Sequence, residues 1–227
     1  MHSVIKAWVF ICGCAFALSS CTAGSGTESM PEAALYYPLD LSFHAASKTV
    51  HVLNTNFDGR YQHGWISQID LAKVVDSETP ETLTLAELYS DAVSVESYGG
   101  GLLLDATTNT LFASHRGVDT ISVIEVDAAT GGLLCRSDET AAKVCDADHR
   151  YVFSSDDFAF DAPSALNDPF KMRLSASPLD AEKNILLVGH AGTGRLSILD
   201  VVSEETKGTQ LVANRSIYLG GDGNSAL

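Results

Sequence analysis

Apolar and polar positions alternate along Thr120–Glu125, a run that follows another β-prone stretch, Leu111–His115. Alternation with a period of two is typical of a strand that buries one face. The four residues between the two runs include a glycine and an aspartate, which favour a tight turn. The pattern therefore predicts a β-hairpin.

The same pattern occurs at two other places in the chain. Trp65–Asp70 and Arg195–Asp200 match Thr120–Glu125, each with an aliphatic residue, a serine, a variable residue, an aliphatic residue and an acid in the same order. Each copy is preceded by two further short strands separated by a turn. These upstream strands are 39–43 and 50–54, 101–105 and 111–115, and 172–176 and 186–190. The unit is strand, turn, strand, hairpin, strand, and we expect a fourth, outer strand in the variable stretch behind each copy.

A four-stranded antiparallel unit that recurs along the chain is typical of a β-propeller blade. The repeats resemble the YVTN-type propeller repeats, whose second strand ends like Tyr-Val-Thr-Asn and whose third reads like Val-Ser-Val-Ile-Asp. In this sequence Leu53-Asn54, Ser114-His115 and Gly189-His190 stand at the Thr-Asn place. The resemblance implies an all-β, propeller-like domain over 35–227, and it says little about activity. An antiparallel sandwich is the alternative, because short strands with regular turns suit both folds.

The expected blades cover about 39–98, 99–170 and 171–219. Three blades are fewer than the roughly four to eight that close a propeller, so the expected architecture is a partial or open one. Either further blades belong to a longer polypeptide, or another chain covers the open faces. The sequence favours the first alternative, because exposed blade faces invite aggregation.

The N-terminal segment resembles a bacterial lipoprotein signal. Lys6 precedes an apolar run, 7–18, that is too short for a permanent membrane-spanning helix, and Leu18-Ser19-Ser20-Cys21 resembles the lipobox. The resemblance implies that 1–20 is a signal helix, that Cys21 carries the lipid anchor, and that the membrane of the cell envelope is a partner. The polar segment 21–34 is expected to be a flexible tether. An ordinary secretory signal is the alternative.

The formal net charge of −15 argues against binding to nucleic acid or to anionic lipid through basic patches. In an exported protein, Cys135 and Cys145 are expected to form a disulfide. A metal site at these cysteines is the less favoured alternative, since the sequence supplies no nearby Cys-x-x-Cys or paired histidines.

Two long segments interrupt the repeats. The stretch 79–95 contains a predicted short helix, 83–89, and 133–170 is an acidic insertion that holds both cysteines. Its carboxylates could bind Ca²⁺, but their spacing matches no calcium loop, and a solvated acidic surface is favoured. These acids are Asp138, Glu139, Asp146, Asp148, Asp156, Asp157 and Asp161.

His115 and His190 stand at the same position of two adjacent blades, so their imidazoles could approach one metal ion or one substrate. The alternative is that each fills the turn position where Asn54 stands in the first copy and bonds locally. Two histidines do not complete a metal site. The sequence contains no nucleophile elbow, phosphate-binding loop or haem motif, so no catalytic residue and no cofactor are predicted.

These observations predict a cell-envelope lipoprotein whose propeller-like domain is a non-catalytic scaffold that binds a protein or a glycan through its loops and rim. A propeller-type enzyme, either a lactonase-like hydrolase or a quinoprotein-like oxidoreductase, is the first alternative. A metal-handling surface protein that uses the acidic insertion is the second. Fold alone does not decide among them.

Overall fold

The computed structural model describes residues 28–31, 33–135, 144–154, 158, 167–204 and 208–219. These residues form an all-β fold of three antiparallel sheets that follow one another along the chain. The strands of the first sheet are β1 Pro38–His44, β2 Thr49–Asn54, β3 Gly64–Asp70 and β4 Tyr89–Val95. Those of the second are β5 Gly99–Asp105, β6 Thr110–His115, β7 Thr120–Val126, β8 Leu133–Leu134 and β9 Arg150–Val152, and those of the third are β10 Pro169–Ala176, β11 Asn184–His190, β12 Arg195–Glu204 and β13 Gly208–Tyr218.

In each sheet the spatial order of the strands is their order in the sequence, so each sheet is a meander, and we call the sheets blades 1, 2 and 3. The all-β, propeller-like class predicted from the repeats is confirmed. The outer strand of blade 2 is split, because β8 and β9 both pair with β7. Between β3 and β4 lie two one-turn α-helices, α1 Ala72–Val75 and α2 Leu85–Leu88, with a 3₁₀ turn, Pro80–Thr82, between them. Helix α2 lies within the predicted helical segment.

Two apolar cores lie between successive blades. In the first, Leu53 and Ile66 of blade 1 are in one cluster with Leu111 and Ile124 of blade 2. In the second, Phe112 and Ile121 of blade 2 cluster with side chains of blade 3. Full burial of a large apolar side chain stabilises a fold by roughly 1.5–3 kcal/mol, so these inter-blade contacts are a main source of stability.

The three glycines at the start of β5 let this strand fit closely between β1 and β10. A Cβ atom at Gly100 would lie 2.7 Å from the carbonyl oxygen of Pro169 and 2.9 Å from Ser114 Oγ. A Cβ atom at Gly99 would lie 2.7 Å from Leu53 Cδ2. Blade 2 therefore has no room for a side chain at these positions.

Above the third of these glycines, Gly101, the outer two blades make a direct ionic contact. Lys171 Nζ of β10 lies 2.8 Å from Asp40 Oδ2 of β1, and the amide of Leu102 donates to the same carboxylate at 3.1 Å. Burial of Asp40 raises the pKa of its carboxyl, but the hydrogen bonds from Lys171 and Leu102 outweigh burial and hold the pKa below its usual range. The pair thus links blade 1 to blade 3 across blade 2.

Among the described residues, no helix has the length and apolar character needed to cross a membrane.

Candidate functional site

The residues that immediately precede the three inner strands have the same unusual backbone conformation. Tyr37, Tyr98 and Asp168 precede β1, β5 and β10, and their φ angles are +49°, +58° and +64°. In each case the carbonyl group accepts a hydrogen bond from the amide that follows the second strand of the same blade, and these amides belong to Thr55, Arg116 and Ala191. Left-handed conformations at residues other than glycine cost about 1–3 kcal/mol each and often occur at functional sites. We call this end of the inner strands the channel mouth.

A cavity of about 450 Å³ opens at the channel mouth. Its wall has an apolar side and a charged side, as is usual for small-molecule sites. The apolar side includes Leu39, Phe57 and Tyr98, and the charged side includes Arg116 and Asp168.

A row of exposed aromatic rings leads into the cavity. The ring centroids of Tyr37 and Phe57 are 6.3 Å apart, and those of Phe57 and Tyr98 are 6.1 Å apart, both in edge-to-face geometry. Phe57 is 65% exposed, Tyr37 50% and Tyr98 42%. A cluster of large exposed apolar groups in a soluble domain often marks an interaction site.

Arg116 and Asp168 form the charged side and connect blade 2 to blade 3. The guanidinium of Arg116 donates two hydrogen bonds to the carboxylate, one from Nε to Oδ1 and one from Nη2 to Oδ2 at 3.0 Å. This pairing lowers the pKa of Asp168 below its usual range. The guanidinium carbon also lies 5.1 Å from the ring centroid of Phe170. The Arg116 side chain is 42% exposed, so the cation is held in place and remains accessible to a ligand.

Neither of the two histidines considered as ligands is part of the cavity wall just described. His115 Nε2 lies 3.0 Å from Ser122 Oγ, and His190 Nε2 lies 2.9 Å from Ser197 Oγ. Each histidine thus contacts the serine of the neighbouring strand in its own blade. His190 Nδ1 also lies 3.3 Å from the carbonyl oxygen of Asn167, a backbone contact of the kind expected as the alternative from the sequence. Burial lowers the pKa of His115 to about 3, so this ring is neutral at physiological pH.

Asn54 makes the equivalent contact in blade 1, where its amide nitrogen donates to Ser67 Oγ at 3.0 Å. The position therefore has the same structural role in all three blades. Within the described part of the chain, no group of three or more His, Cys, Asp or Glu side chains is arranged to hold a metal ion.

Cys135 and Cys145 form a disulfide in the structure, with their Cα atoms 4.8 Å apart. Both are buried in the core between blades 1 and 2. The amide of Cys145 donates to the carbonyl of Ser94 in β4, so the bridge also fixes the outer edge of blade 2 to blade 1.

About half of the acidic insertion, namely 136–143, 155–157 and 159–166, falls outside the described residues, as does the predicted lipidation site Cys21. Asp138, Glu139, Asp156, Asp157 and Asp161 also lie there. Of the two acids that the structure describes, Asp146 caps a single 3₁₀ turn by accepting the amide of His149, and Asp148 lies within that turn.

The residues of the channel mouth were not predicted from the sequence. Aligning the repeats on their inner strands would have placed Tyr37, Tyr98 and Asp168 at one equivalent position. That signal identifies a common turn, but it does not tell which side chains are exposed or that Arg116 and Phe57 lie beside them.

No family model matches the sequence, and no curated protein matches it. A Bacteroides fragilis protein provisionally named a 6-phosphogluconolactonase is similar in structure, with 14% identity, a TM-score of 0.50, and coverage of 82% of this chain and 45% of that one. The periplasmic gluconolactonase of Pseudomonas aeruginosa gives 16% identity, a TM-score of 0.46, and coverage of 81% and 40%. A protein of unknown function from Desulfotomaculum acetoxidans gives 9% identity, a TM-score of 0.49, and coverage of 79% of this chain and 42% of that one. The chain therefore spans less than half the length of these proteins, and the first likeness supports a propeller-like fold without indicating an activity.

Proposed function

We propose that this chain is a cell-envelope lipoprotein, anchored through Cys21, whose propeller-like domain binds a glycan at the channel mouth without catalysing a reaction. The observation that carries the proposal is the row of exposed rings that leads to an accessible, immobilised arginine. The acidic surface supports the exclusion of nucleic acid as a partner.

The chemistry of the channel mouth suits a sugar. A pyranose ring has apolar C–H faces that pack on aromatic rings such as Phe57 and Tyr98, and polar edges that need hydrogen-bond partners. The guanidinium of Arg116 presents N–H donors in a fixed plane, which suits hydroxyl or carboxylate oxygens of a ligand. Asp168 holds that guanidinium in place, so less side-chain entropy is lost when the ligand binds.

Binding can be tested with the full chain in mild detergent on an array of neutral and uronic-acid oligosaccharides, followed by calorimetry with the best oligosaccharide. We expect Phe57→Ala and Arg116→Ala each to weaken binding about five- to thirtyfold, since a well-placed contact contributes about 1–2 kcal/mol. Leu179→Ala is the matched control, because Leu179 is 87% exposed in the turn between β10 and β11. Equal affinities for the three variants, or no binding to any oligosaccharide, would contradict the proposal.

The anchor can be tested separately. Cells that express the full chain and are fed an alkyne-labelled fatty acid should incorporate the label into the wild-type protein, which should fractionate with membranes. Cys21→Ser should carry no label, and Cys135→Ser, at a cysteine expected to be in the disulfide, is the control. Labelling that persists in Cys21→Ser would refute the anchor without affecting the glycan proposal.

The alternative function is a lactonase-like hydrolase. In that case a carboxylate at the channel mouth would have to activate water, and Asp168 is the available candidate. Hydrolysis of gluconolactone that is abolished by Asp168→Asn and preserved in His115→Asn would favour the hydrolase over a non-catalytic binding domain. If no lactone is hydrolysed above the buffer rate, the hydrolase alternative is contradicted, and the oligosaccharide array decides the binding function.

A further inference from the structure

A second cavity lies between blades 1 and 2, at the end of the strands opposite the channel mouth. Its volume is about 550 Å³, and its wall is formed by the ends of β2, β3 and β4 in blade 1 and by the turn between β7 and β8 in blade 2. Volumes of this size are typical of sites for small organic molecules. The wall is rich in oxygen-bearing side chains, which include Gln68, Asp70, Ser90 and Asp91, and none of its described residues is Lys or Arg. We call it the base cavity.

Three polar residues of blade 1 form a row across the sheet beside the base cavity. His51 of β2 pairs with Gln68 of β3, and Gln68 pairs with Asp91 of β4. Each holds the turn of blade 2 with one polar atom. His51 Nε2 lies 3.0 Å from the carbonyl oxygen of Gly131. Gln68 Nε2 donates to the carbonyl of Thr130 at 2.7 Å, and Asp91 Oδ2 accepts the first amide of β8 at 3.3 Å. The row therefore fixes the turn that forms one side of the cavity.

Packing alone does not require polar residues in this row. Phe112 and Val123 of blade 2 have the repeat positions of His51 and Gln68, and they pair with each other in the same way. Both are buried in the core between blades 2 and 3. Blade 1 thus has a histidine and a glutamine where apolar side chains join the next two blades.

Gln68 presents an acceptor that the fold itself does not use. The residue is 3% exposed, and the orientation of its amide is fixed because only the nitrogen can donate to Thr130. Among the residues that the structure describes, none donates a hydrogen bond to Gln68 Oε1. A buried acceptor without a donor is destabilising, so we expect a ligand to supply an N–H or O–H group to this oxygen.

His51 adds a second acceptor in the neighbouring strand. Burial lowers the pKa of its imidazole below the ordinary value, so the ring is neutral at physiological pH. Because the carbonyl of Gly131 can only accept, Nε2 carries the proton and Nδ1 is an acceptor. Within the described part of the chain, this buried Nδ1 atom has no hydrogen-bond partner either. Two adjacent strands therefore present acceptors that call for a donor.

We propose that the base cavity binds an organic diamine, whose ammonium groups donate to Gln68 Oε1 and to the carboxylates of Asp70 and Asp91. An ammonium group has three N–H donors and no acceptor, which matches a wall of acceptors, and the carboxylates compensate its charge. Ca²⁺ is the alternative cation, but it takes about six to eight oxygens at roughly 2.3–2.6 Å from one point. A cavity of about 550 Å³ instead has room for a small organic molecule.

The test is calorimetric titration of the full chain in mild detergent with 1,4-diaminobutane, at physiological salt to screen the general attraction of an acidic chain for cations. We expect the wild type to bind, and Gln68→Met and Asp70→Asn each to weaken binding about fivefold or more, since each removes one contact of about 1 kcal/mol. Asp70→Asn keeps the oxygen that accepts the amide of Ala72, so the fold should be retained. Circular dichroism verifies the fold of each variant.

Asp200→Asn is the matched control. Asp200 has the repeat position of Asp70 in blade 3, also accepts a hydrogen bond through Oδ1, and lies outside the base cavity. The diamine should bind this variant as it binds the wild type. The inference does not depend on glycan binding, because the two cavities lie at opposite ends of the strands. Phe57→Ala should therefore weaken binding of the oligosaccharide and leave binding of the diamine unchanged.

Two further titrations identify the ligand chemistry. 1,4-Butanediol, which has a similar length and no charge, should bind much more weakly than the diamine. If the diol binds as tightly, or if Ca²⁺ binds in a manner that depends on Asp70 and the diamine does not compete, the assignment of a diamine is wrong. Absence of diamine binding, or equal affinity for all variants, would also overturn it. Loss of diamine binding in Phe57→Ala would place the diamine at the channel mouth and contradict the proposal.

Discussion

Replacing Gly100 with alanine tests whether β5 is as closely confined as the structure indicates. The added Cβ would lie 2.7 Å from the carbonyl oxygen of Pro169, 2.9 Å from Ser114 Oγ and 3.0 Å from Phe170 Cα. Two of these three atoms belong to the backbone of β10 and cannot rotate away. Ser114 Oγ also donates to the carbonyl of Phe170 at 2.6 Å, a bond that the new methyl group would disturb.

Overpacking of this kind costs about 1–3 kcal/mol, and loss of the hydrogen bond adds about 1 kcal/mol. We therefore expect Gly100→Ala to lower the free energy of unfolding by about 2–4 kcal/mol. Gly189→Ala is the matched control, because Gly189 also lies inside a strand and its Cβ would come no closer than 3.7 Å to a neighbouring atom. There the change should be neutral or stabilise the fold by about 0.4–1 kcal/mol, since alanine restricts the unfolded chain.

The measurement is urea unfolding of both variants, followed by circular dichroism, with a thermal scan as a second readout. A loss of 2–4 kcal/mol corresponds to a decrease in Tm of roughly 4–16 °C for a domain of this size. If Gly100→Ala is as stable as Gly189→Ala, β5 is not confined between its neighbours, and the blade packing derived from the glycines is wrong.

Three further predictions concern stability. Burial lowers the pKa of His115 from 6.5 to about 3, so between these pH values the unfolded chain binds a proton at His115 and the folded chain does not. The free energy of unfolding should therefore be highest above about pH 6.5. It should fall by up to about 1.4 kcal/mol per pH unit as the pH decreases toward 3. His115→Asn, which copies Asn54, should fold and should reduce this loss in urea titrations at pH 7 and 4.5; an unchanged pH dependence would refute the assignment. Reduction of the Cys135–Cys145 bridge should cost about 3 kcal/mol, and the Cys135→Ala/Cys145→Ala double variant should show no response to dithiothreitol in the same assay. Lys171→Met should destabilise the fold by no more than about 1 kcal/mol, since the pair is partly exposed, and this loss should disappear in 1 M salt.

The strands of the repeats could be predicted because their signal is local. The alternation through Thr120–Glu125 identified β7, which the structure extends by one residue to Val126. The serine in that pattern, Ser122, proved to be the partner of His115, and the same pairing recurs in the other blades. A residue whose hydrogen-bond partner lies in its own blade recurs with that partner in each repeat, so the pair can be recognised in the sequence.

The candidate site could not be predicted because it depends on how the blades meet. Tyr98 and Asp168 are 70 positions apart in the sequence, and only the packing of blades 2 and 3 brings both to one cavity. Irregular pairing at the start of β5, around Gly100, interrupts the alternation there. The split outer strand of blade 2 was missed because β8, Leu133–Leu134, is too short to show any period.

The ionic link above Gly101 has a consequence for how the repeats can be recombined. Joining two copies of blade 1 in tandem would bring two carboxylates of the Asp40 type to neighbouring strands, and doubling blade 3 would do the same with two ammonium groups. At this position of the inner strand, blade 1 has a carboxylate (Asp40), blade 2 has a glycine (Gly101) and blade 3 has an ammonium group (Lys171). The order of the blades therefore matters, unlike that of modular repeats that tolerate shuffling. A gene rearrangement that keeps this order would preserve the attraction, whereas one that reverses or duplicates a unit would replace it with repulsion.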